Sequence, residues 1–189
     1  MGRWQPDSAG RLQEAALDLY SERGFDQTTA AQIAARAGLT ERTFFRHFAD
    51  KREVLFGGSA LLGERIVAGV AGAPAADGAL DAVARGLDAA AAMLGEFRRD
   101  LSRQRQAVIA ANPELREREL AKLADYAAAV SAALRQRGVS EPQATLAAQA
   151  SMSVLGVAIQ RWASGDDGRD LTAIMRDSVA ELRAVAAGA

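Results

Sequence analysis

The chain has 189 residues, a quarter of them charged, and a formal net charge of −1, which is the composition of a folded globular protein and excludes a disordered or fibrous one. It has no cysteine, which excludes a disulfide framework, a thiolate zinc site and a cysteine nucleophile. The first ten residues, MGRWQPDSAG, contain no apolar core of a signal peptide.

Helical periodicity dominates the chain, and no convincing alternating strand pattern occurs. Asp7 or Ser8 caps the first helix. Gly24 ends this helix where a left-handed residue is needed, and Phe25 follows as the apolar residue that packs back on it. The pattern along the whole sequence predicts an all-α protein of about nine helices.

Two short helices follow with clear boundaries. Thr29 opens the second helix with a capping box, and Gly38 closes it after about two turns. Thr40 caps the third helix, and Glu41 lies in its first turn, where the helix dipole favours an anion. A helix, a tight turn and a helix in this order have the spacing of a helix-turn-helix, but a plain αα-hairpin has the same spacing.

The segment LTERTFFRHF, residues 39–48, mixes apolar and basic side chains. At 100° per residue, Phe44 and Phe48 lie on one side of the third helix and are predicted to anchor it to the first two. The opposite side carries what we call the basic face, made of Arg42, Thr43, Phe45 and Arg46. An exposed Phe between two arginines is unfavourable unless a partner covers it. Residues 36–52 carry five basic against two acidic side chains, which indicates a partner with phosphates.

The remainder of the sequence is also predicted to be helical. Asp50 and Glu53 form a capping box for a fourth helix that continues through Ile66. Asn112 is the predicted cap of one later helix, and Ser140, in a capping box with the glutamine three residues on, is the cap of another. The later helices are predicted at residues 79–97, 99–111, 113–138, 140–164 and 171–186.

Residues 142–160 contain no charged side chain. The stretch is long enough to raise the question of membrane insertion, but its Gln, Thr and Ser side chains disfavour insertion, so we interpret it as a buried helix of a cytoplasmic protein. A helix that is apolar or small all round must be buried all round. A domain of this size covers one side, and the other side is predicted to need a second chain.

The segment TTAAQIAARAGLTERTFFRHFADKREVLF, residues 28–56, resembles the DNA-binding domain of the TetR (tetracycline repressor) family of transcription regulators. The resemblance covers roughly residues 8–58. It implies a helix-turn-helix DNA-binding domain at residues 1–58 and a helical effector-binding and dimerisation domain at residues 59–189. The positions that carry the resemblance are Gly24-Phe25, Thr28-Thr29, Ile33-Ala34, Ala37-Gly38, Phe48 and Lys51.

The resemblance implies a role for each side chain that would face DNA. Thr29 and Thr40 would donate hydrogen bonds to phosphates. Arg42 and Thr43 would reach base edges, and Arg42 has the geometry to pair with guanine. Phe45 stands where many members carry Tyr, so its contact with the sugar-phosphate or with a thymine methyl group must be apolar.

The remaining implied contacts lie at the end of the third helix and beyond it. Arg46 and His47 would bind the DNA backbone or bases, and Lys51 would bind a phosphate. His47 has the alternative of a half-buried packing role. Glu41 has the alternative of serving only the helix dipole instead of accepting from a cytosine.

Members of the family usually hold an effector among the middle helices. The polar side chains that could contribute are Arg103, Arg105 and Gln106. Ordinary core packing explains each large side chain in this region at least as well as a pocket does. The candidates for lining a pocket are Met93, Phe97, Tyr126, Met152 and Trp162.

The leading interpretation is a cytoplasmic, ligand-responsive repressor that binds a palindromic operator in double-stranded DNA and is released by a largely apolar small molecule. It would form a homodimer through the last two helices, at about residues 140–187. The alternative is a ligand-independent DNA-binding or protein-interaction module with a packed C-terminal domain. An N-terminal arm with Arg3 and Trp4 is a further possible DNA contact. The sequence offers no set of catalytic or metal-binding residues, so we expect neither an enzyme nor a cofactor.

Overall fold

The computed structural model describes residues 8–165 and 168–188, so Arg3 and Trp4 of the proposed arm lie outside the described residues. Within these ranges the chain forms nine α-helices, one short 3-10 helix and no strand, which confirms the predicted all-α class. The α-helices are α1 (Ser8–Arg23), α2 (Ala30–Arg36), α3 (Glu41–His47), α4 (Ser59–Ala71), α5 (Ala79–Leu94), α6 (Arg99–Ala111), α7 (Pro113–Gln136), α8 (Glu141–Ser164) and α9 (Leu171–Ala187), and the 3-10 helix is Glu53–Phe56.

The chain divides into two compact units. The first comprises Met1–Gly58 with Gln104–Glu119, and the second comprises Ser59–Arg103 with Leu120–Ala189. The sequence-based division also falls after residue 58, but it did not place any part of α6 or α7 with the helix-turn-helix. That association depends on side-chain contacts between distant positions, which the local pattern does not contain.

In the first unit, α1 packs against α2, α3 and the 3-10 helix. Leu12 of α1, Ile33 of α2 and Phe44 of α3 have no exposed surface and belong to its core. Phe48 is also buried, so the predicted anchoring of the third helix by Phe44 and Phe48 agrees with the structure. The burial of these aromatic rings fixes the orientation of the opposite side of α3.

The predicted caps of α2 and α3 are present. The Thr29 hydroxyl oxygen accepts the backbone N–H of Gln32 at 3.2 Å, and the Gln32 side chain accepts the N–H of Thr29 at 2.9 Å. The Thr40 hydroxyl oxygen accepts the N–H of Thr43 at 3.2 Å. Between the helices, Gly38 has a φ of 66°, the left-handed conformation that glycine adopts without strain.

The predicted fourth helix is interrupted. The Asp50 carboxylate accepts the N–H groups of Arg52 and Glu53, at 2.7 and 3.1 Å, as a cap does. The helix that follows is a single 3-10 turn, because two consecutive glycines come next and Gly58 has a φ of 84°. The α-helix proper begins at Ser59.

Two other predicted caps are wrong in detail. The Ser140 hydroxyl donates to the Gln143 side-chain oxygen at 3.0 Å, so no capping box forms at the start of α8. The Asn112 side chain donates backward to the carbonyl of Val108 at 2.6 Å. In addition, α5 ends at Leu94, three residues earlier than predicted.

In the second unit, α5 packs against α4, α8 and α9. The backbones of α4 and α5 approach so closely that a Cβ atom added to Gly69 would lie 2.7 Å from the Cα of Gly86. A Cβ atom added to Gly86 would lie 2.7 Å from the carbonyl oxygen of Ile66. Only glycine fits at these two positions without a shift of the backbone.

One described segment, Glu53–Ala71, has the length and apolar composition of a membrane span, with 28% of its most apolar window buried. It consists of the 3-10 helix, two glycines and α4, which has 13 residues. A spanning helix needs about 20 consecutive residues. The segment is therefore too short as a continuous helix to cross a bilayer.

Candidate nucleic-acid interface

The basic face of α3 lies on the surface. Phe45 is 53% exposed, whereas Phe44 beside it is completely buried. The two rings meet edge to face, with centroids 5.3 Å apart and planes at 83°. Phe45 is thus held in place by a buried ring while most of its own surface faces water. The basic face and Thr40 line a depression of about 470 Å³.

The two arginines of the basic face differ from the other cations of residues 36–52. Among the described residues, neither Arg42 nor Arg46 forms an ion pair, and Arg46 has only a 3.4 Å contact with the ring of His47. Arg36 forms a two-pronged pair with Glu22 at 2.9 and 2.7 Å. The positive charges that remain for an anionic partner are therefore concentrated on the exposed side of α3.

Two hydroxyl groups accompany these cations. Thr40 and Thr43 have their oxygens 2.9 Å apart, so one of them donates to the other and the other keeps its proton for a partner. The Thr29 oxygen uses a lone pair to cap α2, which leaves its O–H free to donate outward. A capping threonine and a phosphate donor are compatible roles for the same hydroxyl.

His47 and Glu41 are both exposed. The ring centroid of His47 lies 6.2 Å from that of Phe48, at the edge of the core. Its exposure opposes the packing alternative for this residue. Glu41 lies in the first turn of α3, where its negative charge interacts favourably with the helix dipole whether or not it contacts DNA.

The ammonium of Lys51, which was predicted to bind a phosphate, has partners within the protein. Its ammonium donates to three backbone carbonyls, those of Phe25 at 2.8 Å, Thr28 at 3.1 Å and Asp26 at 3.3 Å. The nitrogen also lies 4.2 Å from the centre of the Phe25 ring. An ammonium has three N–H donors, so all of them are already used within the protein. We call these three oxygens the carbonyl cluster.

The surroundings of the carbonyl cluster are buried. The Tyr20 hydroxyl donates to the backbone carbonyl of Lys51 at 2.5 Å, and its ring lies 5.2 Å from that of Phe25. Burial, reinforced by the nearby Asp50 carboxylate, raises the pKa of Tyr20, so the phenol keeps the proton that it donates. The Thr28 hydroxyl donates to the carbonyl of Gly24 at 2.9 Å. The family resemblance includes Gly24, Phe25 and Thr28, but no local pattern in the sequence shows that this loop surrounds the ammonium of Lys51.

The 3-10 helix is held by α6 and α7 within the first unit. The guanidinium of Arg105 donates to the carbonyl of Leu55 at 2.8 Å and lies 5.2 Å from the ring centre of Phe56. Arg118 pairs with Glu53 at 2.6 Å. Arg105 therefore serves the segment that follows the helix-turn-helix and is not available as a pocket residue.

The five candidate pocket residues have different environments within the second unit. Met152 and Trp162 are buried in its core, and Met93 is half-buried. Tyr126 is also half-buried and donates to the carbonyl of Ser59 at 2.7 Å. Phe97 follows the end of α5 and is 50% exposed.

Arginine side chains also close the end of α8 in the second unit. Arg103 donates to the carbonyl of Ala163 at 2.7 Å, so it is not a free polar contact for a ligand. Arg99 donates to the carbonyl of Gly165 at 2.8 Å, and its guanidinium lies 5.4 Å from the ring centre of Trp162. A depression of about 260 Å³ lies elsewhere, between α7 and α8, and none of the five candidates lines it.

The α8 helix is buried on one side only. Leu155 and Ala158 lie in the core, whereas Leu146 is 71% and Val157 is 48% exposed. Gly156 has open space where a side chain would point. The exposed stripe of α8 carries no charged side chain between residues 142 and 160.

A bundle in which a tight turn joins two short helices, the second with cations and hydroxyls on its outer side, defines the helix-turn-helix class. Residues 12–56 match the model that describes bacterial regulatory proteins of the tetR family, and residues 77–187 match the model of the MftR C-terminal domain. The chain belongs to the TetR family. The described part of the chain contains no group of three or more His, Cys, Asp or Glu side chains that could hold a metal ion.

One relative by sequence and two solved structures are similar to this chain. Over 95 residues, the chain is 36% identical to the HTH-type transcriptional regulator TcmR of Streptomyces glaucescens, a match that covers 50% of this chain and 38% of that protein. The fold is similar to that of FadR from Bacillus subtilis in complex with stearoyl-CoA, with 19% identity, a TM-score of 0.61 and coverage of 92% and 96% of the two chains. It is also similar to FadR from Thermus thermophilus in complex with lauroyl-CoA, with 24% identity, a TM-score of 0.54 and coverage of 94% and 92%.

Proposed function

We propose that the protein is a transcriptional repressor that binds a specific double-stranded DNA sequence through the basic face of α3. The observation that carries the proposal is the exposed ring of Phe45 between Arg42 and Arg46. Exposure of this aromatic ring to water is unfavourable. In the major groove the arginines can bind phosphates and base edges, and the ring can contact thymine methyl groups. The family to which the chain belongs supports the same function.

The contacts divide into those that position the domain and those that read bases. Thr29 and Thr40 donate to phosphates. Arg42 and Thr43 reach base edges, with Arg42 directed at a guanine. Phe45 supplies the apolar contact.

Two further side chains of α3 extend this surface. Arg46 and His47 contact the backbone or bases beside the sites read by Arg42. Glu41 lies at the near end of the same helix and is exposed, so it accepts from a cytosine if α3 enters the groove by its first turn. A lone carboxylate otherwise opposes phosphate, which makes Glu41 a contact that helps only the correct sequence.

We further propose that the protein acts as a homodimer through α8 and α9. The exposed uncharged stripe of α8, with Leu146 and Val157, supports this, and Val185 of α9 is 76% exposed. A two-fold dimer presents two copies of α3 to DNA, and half-sites of such operators are about 34–36 Å apart or a multiple of that distance. The operator is therefore a palindrome.

A small molecule with a large apolar part is the proposed effector. Two solved structures of similar fold contain acyl-CoA esters, and Met93 and Tyr126 are half-buried large side chains of the second unit. Binding of the effector would favour a state of the dimer in which the two recognition helices no longer match the half-sites. The burial of Met152 and Trp162 in the core favours the alternative, a DNA-binding protein without an effector.

The proposal is tested by selecting genomic DNA fragments bound by the purified protein and footprinting the best of them. We expect one palindromic sequence in two protected half-sites. Stearoyl-CoA and lauroyl-CoA are then added as probes to the complex. Release of the DNA by either ester at micromolar concentration supports an apolar effector. Footprint protection without sequence preference contradicts the proposal that the protein is a sequence-specific repressor. Such a protein would act in the cytoplasm, where the DNA is.

A further inference from the structure

We propose that Lys51 is a positioning residue that holds the loop leading into Thr29, and that it does not contact DNA itself. The expected effect on operator affinity rests on the proposed DNA-binding function. The hydrogen bonds that hold the loop are those of the protein without DNA. Lys51 lies 22 residues beyond Thr29 in the chain, yet its ammonium binds three carbonyl oxygens of the loop that ends at Thr28.

The donors and acceptors at this place match. The three N–H groups of the ammonium meet the three oxygens of the carbonyl cluster, at 2.8 to 3.3 Å. Hydrogen bonds from an ionised donor are stronger than neutral ones. The aromatic face of Phe25 provides a further interaction with the cation at 4.2 Å. A phosphate could take this ammonium only by displacing one of these partners.

The backbone of Lys51 is fixed as firmly as its side chain. Its carbonyl accepts the buried Tyr20 hydroxyl at 2.5 Å, so the residue is bound to α1 at one end and to the loop at the other. The loop in turn is braced by the Thr28 hydroxyl, which donates to the carbonyl of Gly24. The next residue, Thr29, caps α2 and carries the hydroxyl that we assign to a phosphate. Lys51 therefore acts on DNA through Thr29.

Two variants with equal charge change separate positioning from contact. Lys51→Met and Arg46→Met each remove one positive charge and keep an unbranched apolar stem. Removal of a cation that binds a phosphate makes the plot of log K against log salt less steep by about 0.9. We expect Arg46→Met to show this decrease if Arg46 lies on a phosphate. For Lys51→Met we expect operator affinity to fall about tenfold with an unchanged slope.

A double-mutant cycle shows whether the effect passes through Thr29. We expect Thr29→Val to weaken binding by about fivefold in the native background and by less than about twofold when Lys51→Met is present. A role of Lys51 in general stability alone would leave the two losses multiplicative. Binding is measured well below the melting temperature of each variant, so that all of them are folded.

Amide hydrogen exchange in the absence of DNA tests the cause. We expect Lys51→Met to speed exchange about tenfold or more at the N–H groups of Thr28 and Gln32, which bond to the Phe25 carbonyl and the Thr29 hydroxyl. Unchanged exchange at both amides in Lys51→Met, or a salt dependence of its DNA binding that is less steep by about one unit, would overturn the proposal. If the native protein binds no DNA selectively, the proposed function fails, and the exchange result still decides whether Lys51 holds the loop.

Discussion

Phe45 and Phe44 are adjacent in sequence, but one is 53% exposed and the other is fully buried. The pair shows how a single turn of helix serves the core and a partner at once. Phe44 fixes the axial rotation of α3, and this rotation directs Arg42 and Arg46 outward. A polar substitution at Phe44 would therefore remove DNA binding through loss of the fold, whereas a substitution on the basic face should act on DNA alone.

Arg42 gives the residue-scale prediction for sequence reading. Because its guanidinium is exposed and has no carboxylate partner among the described residues, Arg42→Ala should leave the fold intact. We expect a loss of about 1–3 kcal/mol in operator binding, with relaxed preference at one base position of each half-site. The measurement is competition binding with operators changed one base pair at a time. Equal weakening on every sequence would show that Arg42 does not read a base.

At the scale of elements, the crossing of α4 and α5 brings the two backbones so close that glycine is required at Gly69 and Gly86. We predict that Gly69→Ala lowers the free energy of unfolding by about 1–3 kcal/mol, because the new methyl group must move the backbone of Gly86. At a solvent-exposed position in the middle of a helix, the same change would raise the free energy of unfolding by up to about 1 kcal/mol.

Urea unfolding followed by circular dichroism measures the effect of Gly69→Ala. The control is Ala68→Ser, which adds one atom at the neighbouring exposed position of α4. A Gly69→Ala protein as stable as the native one would mean that the two helices separate readily at this crossing, and the close approach would then have no energetic importance.

Elements with strong local signals were predictable from the sequence. The caps at Thr29 and Thr40, and the glycine at 38, depend on neighbours within four residues, and the structure has them as predicted. The 3-10 helix was missed because its apolar pattern continues into α4 and only the left-handed Gly58 divides the two. The capping box at Ser140 does not form, because the Ser140 hydroxyl donates to the side-chain oxygen of Gln143 and does not cap the backbone.

The candidate site was predictable to the same extent and for the same reason. The exposed side of α3 follows from helical periodicity, which places Arg42 and Arg46 opposite Phe44. The engagement of Lys51 by the carbonyl cluster could not be predicted, because its partners lie 23 to 26 residues away. The contact of Arg105, considered as one possible polar group of a pocket, could not be predicted either, because its partner is the carbonyl of Leu55, 50 residues distant.

At the scale of the whole molecule, the proposed dimer follows from the uncharged stripe of α8. We predict that Leu146→Glu converts the protein from two chains to one, because a carboxylate in a tightly packed apolar interface is left without a partner. Light scattering after size-exclusion chromatography measures the mass. The control is Leu120→Glu on α7, where a leucine of similar exposure, 66% against 71%, is replaced outside the stripe. A native protein with the mass of one chain would contradict the proposed interface.

The central claim is that the basic face of α3 binds one DNA sequence in preference to others. Fluorescence anisotropy tests it most directly, with labelled DNA from beside the protein's own gene, scrambled DNA of the same composition, and the variants Arg46→Ala and Arg65→Ala. Arg65 is an exposed arginine of α4 and controls for the loss of one positive charge. We predict selective binding by the native protein and by Arg65→Ala, and its loss in Arg46→Ala. Equal affinity of the native protein for all DNA, or an Arg46→Ala variant that binds as the native protein does, would contradict the claim.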